Sequence, residues 1–350
     1  MEVDFLLIGQ GIAGTVLSYR LMQSGMRIIV IDQPEQNQSS RIAAGLYNPV
    51  TGRKMVKTWN ADLLFPEIEP LYEEMESFLG AKFLYKNPIY RPFLSKEEQN
   101  EWMGNSGDEK FVSYLKEIRT SSYFEAVKDE FGGVLLNTSG YLDINVLLDV
   151  YTRYLSERNL VRFEKYEETQ LIVEKEGIKY QDIQAKGVVY CNGLGCLGSK
   201  FFEDLPFAPV KGEILDIEQE FRPEEIINRG VFRITLPNQL LRVGSTYSWH
   251  DLDQGPTERA KIEILDRLDN LVNIENKKVV VHKTGIRPAT KDRRPFLGKH
   301  PEHESVYIFN GFGAKGVSLI PYYSKMMIDL LIKKNEPHPD VNISRFFKYI

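Results

Sequence analysis

The feature that most constrains this chain is the stretch DFLLIGQGIAG, Asp4–Gly14, with glycines at Gly9, Gly11 and Gly14 directly after an apolar run. VDFLLI before it reads as a buried strand. After it, Ala13, Val16, Leu17 and Leu21 recur at helical spacing, and Gly25 is placed to end the helix in a left-handed turn. RIIVID, residues 27–32, is a second apolar strand that closes on an acid. In such a strand–turn–helix–strand unit the first glycine permits a tight turn. The second leaves room for a pyrophosphate at the helix N-terminus, and the third lets helix and strand pack closely. Asp32 stands eighteen residues beyond Gly14, where a carboxylate accepts ribose hydroxyls. The unit predicts a dinucleotide site and leaves NAD and FAD both open.

Length predicts two domains, since 350 residues exceed one ordinary core. A net charge of −5 argues against a dedicated nucleic-acid binder. The two cysteines, Cys191 and Cys196, lack the partners a zinc site needs, so no metal is expected. Two reduced thiols suit a cytoplasmic protein. The first strand begins by Val3, which leaves no room for a signal peptide, and no apolar run approaches a membrane span.

Further along, EIEPLYEEMESFLG predicts a helix with Leu71, Met75, Phe78 and Leu79 inward. YLDINVLLDVYTRYLSERN predicts another, capped by Asp143. GEILDIEQE, VFRITLP and LLRVGST read as antiparallel strands, KKVVVHKTGI as a strand, and VSLIPYYSKMMIDLLIKK as a terminal helix. Residues 81–135 carry no clear pattern. Nucleotide-fold pieces thus stand at both ends and in the middle, with antiparallel pieces between them.

Seven segments then occur in order: LLIGQGIAG, SSRIAAGL, VVYCNG, PVKGEIL, VGSTY, GIRPATKDRRPFLGKHP and FNGFGAKGVSLIP. Together they resemble the D-amino acid oxidase and glycine oxidase family of flavoproteins, with PVKGE and GIRPATKDRRPFLG closest to bacterial glycine oxidases. The likeness covers about half the chain and is lost over residues 60–135 and 216–235. It implies an α/β fold, a Rossmann-like FAD-binding domain with an inserted antiparallel-sheet α+β substrate domain. On that pattern residues 1–58, 138–208 and 284–350 form the FAD-binding domain. Residues 59–137 and 209–283 form the substrate-binding domain.

The resemblance answers the open question with FAD, held non-covalently because GIRPATKDRRPFLG offers no cysteine. It places Gly9, Gly11, Ile12, Ala13 and Gly14 along the pyrophosphate and Asp32 and Gln33 at the adenosine ribose. Arg41, Ala43, Ala44, Gly45 and Leu46 follow the phosphate, ribityl chain and flavin edge. Asn192 and Gly193 close over the adenosine side. Gly313, Lys315, Gly316 and Val317 meet the flavin's N1/O2 edge at the start of the last helix, where a helix N-terminus steadies negative charge.

Arg287, the arginine of G-x-R-P, is implied to bind the substrate carboxylate. A guanidinium forks both oxygens and stays charged, so it anchors an amino acid in one pose. The implied reaction oxidises a C–N bond of an amino acid or related amine, with hydride passing from the α carbon to flavin N5. The electron acceptor thereafter is O2 or another oxidant. Tyr247 is placed to roof the cavity. Two departures stand out: Ala314 and Lys315 where glycine oxidases carry a second arginine, and Ile234 where they carry a tyrosine. Lys315 is the candidate for that second charge. Arg53, Lys54 and Lys57 form either a solvated loop or a recogniser of a second acidic group. The alternatives are a flavin-dependent modification of tRNA wobble uridine and a non-catalytic flavin-binding homologue.

Overall fold

The computed structural model describes residues 1–33, 39–52, 55–252 and 255–349. Arg53 and Lys54 lie outside the described residues. Two eight-stranded sheets organise the chain. The first has a parallel centre: Val161–Phe163, Ile28–Asp32, Glu2–Ile8, Ile183–Tyr190 and Val306–Asn310 lie side by side in that order. Strands buried on both faces read as continuous apolar runs, which is why FLLI and IIVI were legible. Antiparallel strands Leu171–Glu174, Gly177–Tyr180 and Phe296–Lys299 complete the sheet.

Helices cover one face of this sheet. Ile12–Gln23 packs against Gly316–Lys333 and Ile144–Glu157, all in one apolar cluster with the Ala61–Leu79 helix. Asp143 caps Ile144–Glu157, its carboxylate accepting the Val146 N–H at 3.2 Å. The first helix gives way at Gly25 with φ +78°, as its position predicts. The Ala61–Leu79 helix begins earlier than its apolar pattern does and runs through Pro66 and Pro70. It buries Leu71, Tyr72 and Met75, whereas Phe78 is exposed and lies against Tyr19 and Tyr154 at the rim. Although it starts just past residue 58, this helix packs on the last helix rather than on the second sheet.

The second sheet runs Lys278–Arg287, Val210–Glu218, Leu241–Gly244, Val231–Thr235, Ile226–Arg229, Ile89–Pro92, Gly133–Leu136 and Leu115–Arg119. It is antiparallel except for the Ile226–Arg229 and Ile89–Pro92 pair, which is parallel. Its back face carries Leu215, Ile217, Val231 and Val243 against the Glu258–Asp269 helix. Its front face carries Ile89, Val134, Ile226 and Ile234 against Ala44, Leu46 and Val50. The front face and the carboxyl ends of the parallel strands enclose one space, the usual ligand position in an open α/β sheet.

Candidate active site

That space is a cavity of about 1860 Å³, well beyond the ~300–1,000 Å³ that ordinary small-molecule sites need. Gly9, Gly11, Ile12 and Ala13 line one end, with Asp32 and Gln33 beside them. Gly14 is the exception among the opening glycines, because it does not reach the cavity wall. A Cβ there would sit 1.9 Å from the Gly9 carbonyl oxygen, so Gly14 lets helix and strand approach from behind. Gly9 has φ +94°, and a Cβ on it would come 2.6 Å from the Asn192 Cα. Only glycine serves at such a turn.

Asp32 ends the second strand and accepts the Gln10 N–H at 2.9 Å. Burial pushes its carboxyl above 3.8, opposed by that hydrogen bond and by the Arg41 charge. A group whose folded pKa is raised favours the fold only while protonated. That contribution is complete below the unfolded pKa and is lost as pH rises through the folded value. At neutral pH the ionised Asp32 therefore costs apoprotein stability. We predict that Asp32→Asn raises the apoprotein Tm at pH 7 and narrows that gain at pH 3. It should also weaken FAD binding about tenfold to a hundredfold, since charged-acceptor bonds contribute ~1.5–3 kcal/mol. Thermal scans and apoprotein titration with FAD check both parts; unchanged FAD affinity would remove Asp32 from the site.

Arg41, Ala43, Ala44, Gly45 and Leu46 all line the cavity. The Arg41 guanidinium also pairs with Asp149 of the Ile144–Glu157 helix at 2.6 Å. Sequence reasoning missed its neighbour Ser40, whose Oγ accepts the Ile12 N–H at 3.2 Å and faces Gly11 across 3.0 Å from an added Cβ. A hydroxyl over a helix N-terminus beside a glycine turn was the available signal. Asn192 and Gly193 close the same end. Asn310 holds them, donating to the Gly193 carbonyl at 2.8 Å. Both cysteines are free and buried, Cys196 Sγ donating to Asn192 Oδ1 at 3.0 Å.

At the far end Gly313, Lys315, Gly316 and Val317 line the wall where the last helix begins. No side chain caps that helix, so its leading N–H groups are left for another partner. Lys315 opens on the cavity, and desolvation together with the Arg294 and Arg293 charges lowers its ammonium below 10.5. Ile234 is buried in the apolar front face, and Phe232 lines the cavity near it instead. Lys57 is paired with Asp62 at 2.6 Å and lies over Tyr114, so it is spent within the protein.

Arg287 ends the strand Lys278–Arg287. Its Nη1 donates to the Lys211 and Thr246 carbonyls at 3.4 and 3.3 Å, and its Nη2 to Ser245 Oγ at 2.9 Å. The guanidinium lies 4.5 Å from the centre of the Tyr247 ring. Among the described residues it has no carboxylate partner, and burial lowers it from 12.5 without threatening its charge. Gly212, in the PVKGE segment, makes this placement possible: a Cβ there would meet Arg287 Nη2 at 2.0 Å. Gly212→Ala is therefore expected to push the guanidinium off its seat. Carboxylate binding should weaken at least about tenfold, the effect of losing one charge-assisted bond. FAD content should hold, as read by absorbance and ligand titration.

The chain matches the FAD dependent oxidoreductase family, DAO, over residues 4–330. It belongs to that family. The glycine oxidase of Pseudomonas putida is 23% identical over 357 residues, which cover 95% of each chain. The bifunctional tRNA 5-methylaminomethyl-2-thiouridine biosynthesis protein MnmC of Leptospira interrogans is 22% identical over 95% of this chain and 58% of its own. The crystal structure of glycine oxidase from Geobacillus kaustophilus superposes with a TM-score of 0.80 at 18% identity, covering 99% of this chain and 98% of that one. The Rossmann-like FAD-binding fold with its second sheet is thereby the fold of this oxidoreductase.

The cavity fits FAD on its own terms. Gln10 Nε2 is buried there without an acceptor, and its Oε1 is held by Thr152 at 3.0 Å. The glycine-lined cradle at this helix N-terminus, where a Cβ on Gly9 or Gly14 would strike backbone, suits a diphosphate. Among the described residues no cluster could hold a metal ion, and no helix is long and apolar enough to cross a membrane.

Proposed function

We propose that this oxidoreductase oxidises the C–N bond of an amino acid or related carboxylate-bearing amine, and that Arg287 selects the carboxylate. The observation that carries this reading is a guanidinium in the cavity wall with no acidic partner, seated by Gly212 and covered by Tyr247. FAD bound along the cavity supplies the two-electron acceptor.

The residues act by binding and orientation. Arg287 forks the two carboxylate oxygens and fixes how the amine enters, which converts a loose encounter into a set pose. Tyr247, with its ring over the guanidinium, shields that ion pair from water and so strengthens it. The open N–H groups at Gly316 and Val317 favour negative charge beside them. Gly9, Gly11, Ile12 and Ala13 hold the diphosphate, Asp32 the ribose hydroxyls, and Ser40 shares the helix N-terminus with the phosphate. Lys315, at the mouth of the last helix, adds a second cation near the reacting end.

An anaerobic screen of glycine, L- and D-amino acids and N-methyl amino acids tests the proposal by the loss of flavin absorbance. Bleaching by one of these classes supports it; a flavin that stays oxidised with all of them overturns it. The match to the tRNA-modifying protein favours a second reading, oxidation of a glycine-like group on wobble uridine. Its readout is a gel shift with tRNA.

A further inference from the structure

The acidic residues lining the cavity gather at one end. Among the described residues its four acidic lining residues, Asp32, Glu164, Glu167 and Glu168, all stand at the nucleotide end. Away from that end the described lining residues include Arg91, Arg229, Arg287 and Lys315 and no carboxylate. The most unusual of these is Arg91. It sits in the strand Ile89–Pro92 between Ile89 and Phe93, two side chains of the apolar front face, and is 4% exposed. Alternation along a strand would place an apolar residue there.

Arg91 is not matched by an acid. Its Nη2 donates to the Gly52 carbonyl at 2.5 Å, and its Nε is buried with no partner. The nearby carboxylate, Glu98, is consumed by Arg229, with Nη1 to Oε1 at 2.9 Å and Nη2 to Oε2 at 3.0 Å. Glu98 Oε2 also accepts the Leu94 N–H at 2.7 Å. Two guanidinium groups thus stand near one carboxylate at the cavity wall, and only Arg229 is paired with it. Burial and the Arg229 charge lower Arg91 to about 10, which still leaves it charged at neutral pH. A buried charge without a counter-charge is costly, so the fold gains when an anion enters.

We propose that the substrate carries a second anionic group besides its α-carboxylate, and that Arg91 receives it, with Asn228 on the adjoining strand lining the same subsite. This rests on the reading that Arg287 binds the first carboxylate. The second group is a carboxylate or a phosphate, two oxyanions that a guanidinium accepts in the same way.

The test titrates the FAD-loaded enzyme with straight-chain diacids from glutarate to suberate, their monomethyl esters and ω-phosphonocarboxylates of matching length. Flavin absorbance and calorimetric heat give the affinities. At least one diacid or phosphono acid is expected to bind tenfold or more tightly than the monoester of its length. The better of the two arms identifies carboxylate or phosphate. Arg91→Gln should bring that ratio close to one, and Arg91→Lys should keep part of it. Equal binding of diacid and monoester by the wild-type enzyme, which needs no variant, overturns the second subsite and leaves the Arg287 reading standing. A ratio that survives Arg91→Gln overturns the assignment to Arg91. If neither ester nor diacid binds, the carboxylate reading fails as well.

Discussion

Arg287→Ala is expected to lower the efficiency of flavin reduction by carboxylate substrates about 30-fold to several thousand-fold, while FAD stays bound. Removing one partner of a buried, hydrogen-bonded charge pair costs roughly 2–5 kcal/mol, at about 1.4 kcal/mol per factor of ten. Part of the loss falls on substrate affinity. The rest falls on the reduction rate at saturation, since a substrate no longer forked at its carboxylate seldom adopts the reactive pose. Arg287→Lys should recover only part, because an ammonium keeps the charge and loses the fork. The competing role is structural. Arg287 already ties Lys211, Ser245 and Thr246 together, so the side chain could merely brace the end of its strand. Anaerobic stopped-flow separates the two roles. A brace that is lost lowers the melting temperature or the FAD content, yet leaves the reduction rate of the remaining holoenzyme near the wild-type value.

Gly14→Ala is expected to cost about 3 kcal/mol or more of stability and to weaken FAD binding at least about a hundredfold. The new methyl would lie 1.9 Å from the Gly9 carbonyl oxygen and 3.1 Å from its carbon, so no rotamer relieves it. Overpacking in a core costs roughly 1–3 kcal/mol; here the obstacle is the Gly9 backbone, which cannot rotate away. The first helix must then retreat from the strand, which takes its N-terminus away from the diphosphate. Urea unfolding of apoprotein and FAD titration give the two numbers. A variant with wild-type stability and affinity would mean that helix and strand are not held at this spacing. Gly212→Ala makes the contrast, because its methyl points at Arg287 and should spare FAD.

The opening strand–turn–helix–strand unit was legible because its physics is local. The glycine turn, the helical spacing after it and the acid closing the next strand fall within 32 residues, and each has one structural reading. Asp143 as a cap and Gly25 as a stop were legible for the same reason. What stayed hidden depends on distant chain segments. That Gly212 exists to clear space for Arg287 cannot be read from either segment, since the two meet only across the Val210–Glu218 and Lys278–Arg287 pairing. Residues 81–135 carry no clear period because their strands are short and join a sheet whose other members come mainly from beyond residue 210. Arg91 lies in that unpatterned stretch, and only the fold sets it, buried, near an already occupied Glu98. The Arg41–Asp149 pair is a further case, since its partner lies on a helix far along the chain.

The proposed chemistry depends on recognition of the substrate by its carboxylate in this cavity. The direct measurement is anaerobic reduction of the FAD-loaded enzyme by an amine substrate, compared with the carboxamide of the same compound. The two differ by a single charge at the group Arg287 is proposed to hold. The expected result is rapid bleaching by the carboxylate and a reduction efficiency lower by at least about a hundredfold for the amide, with that gap nearly closed in Arg287→Ala. Equal reduction of the wild-type flavin by acid and amide would contradict it.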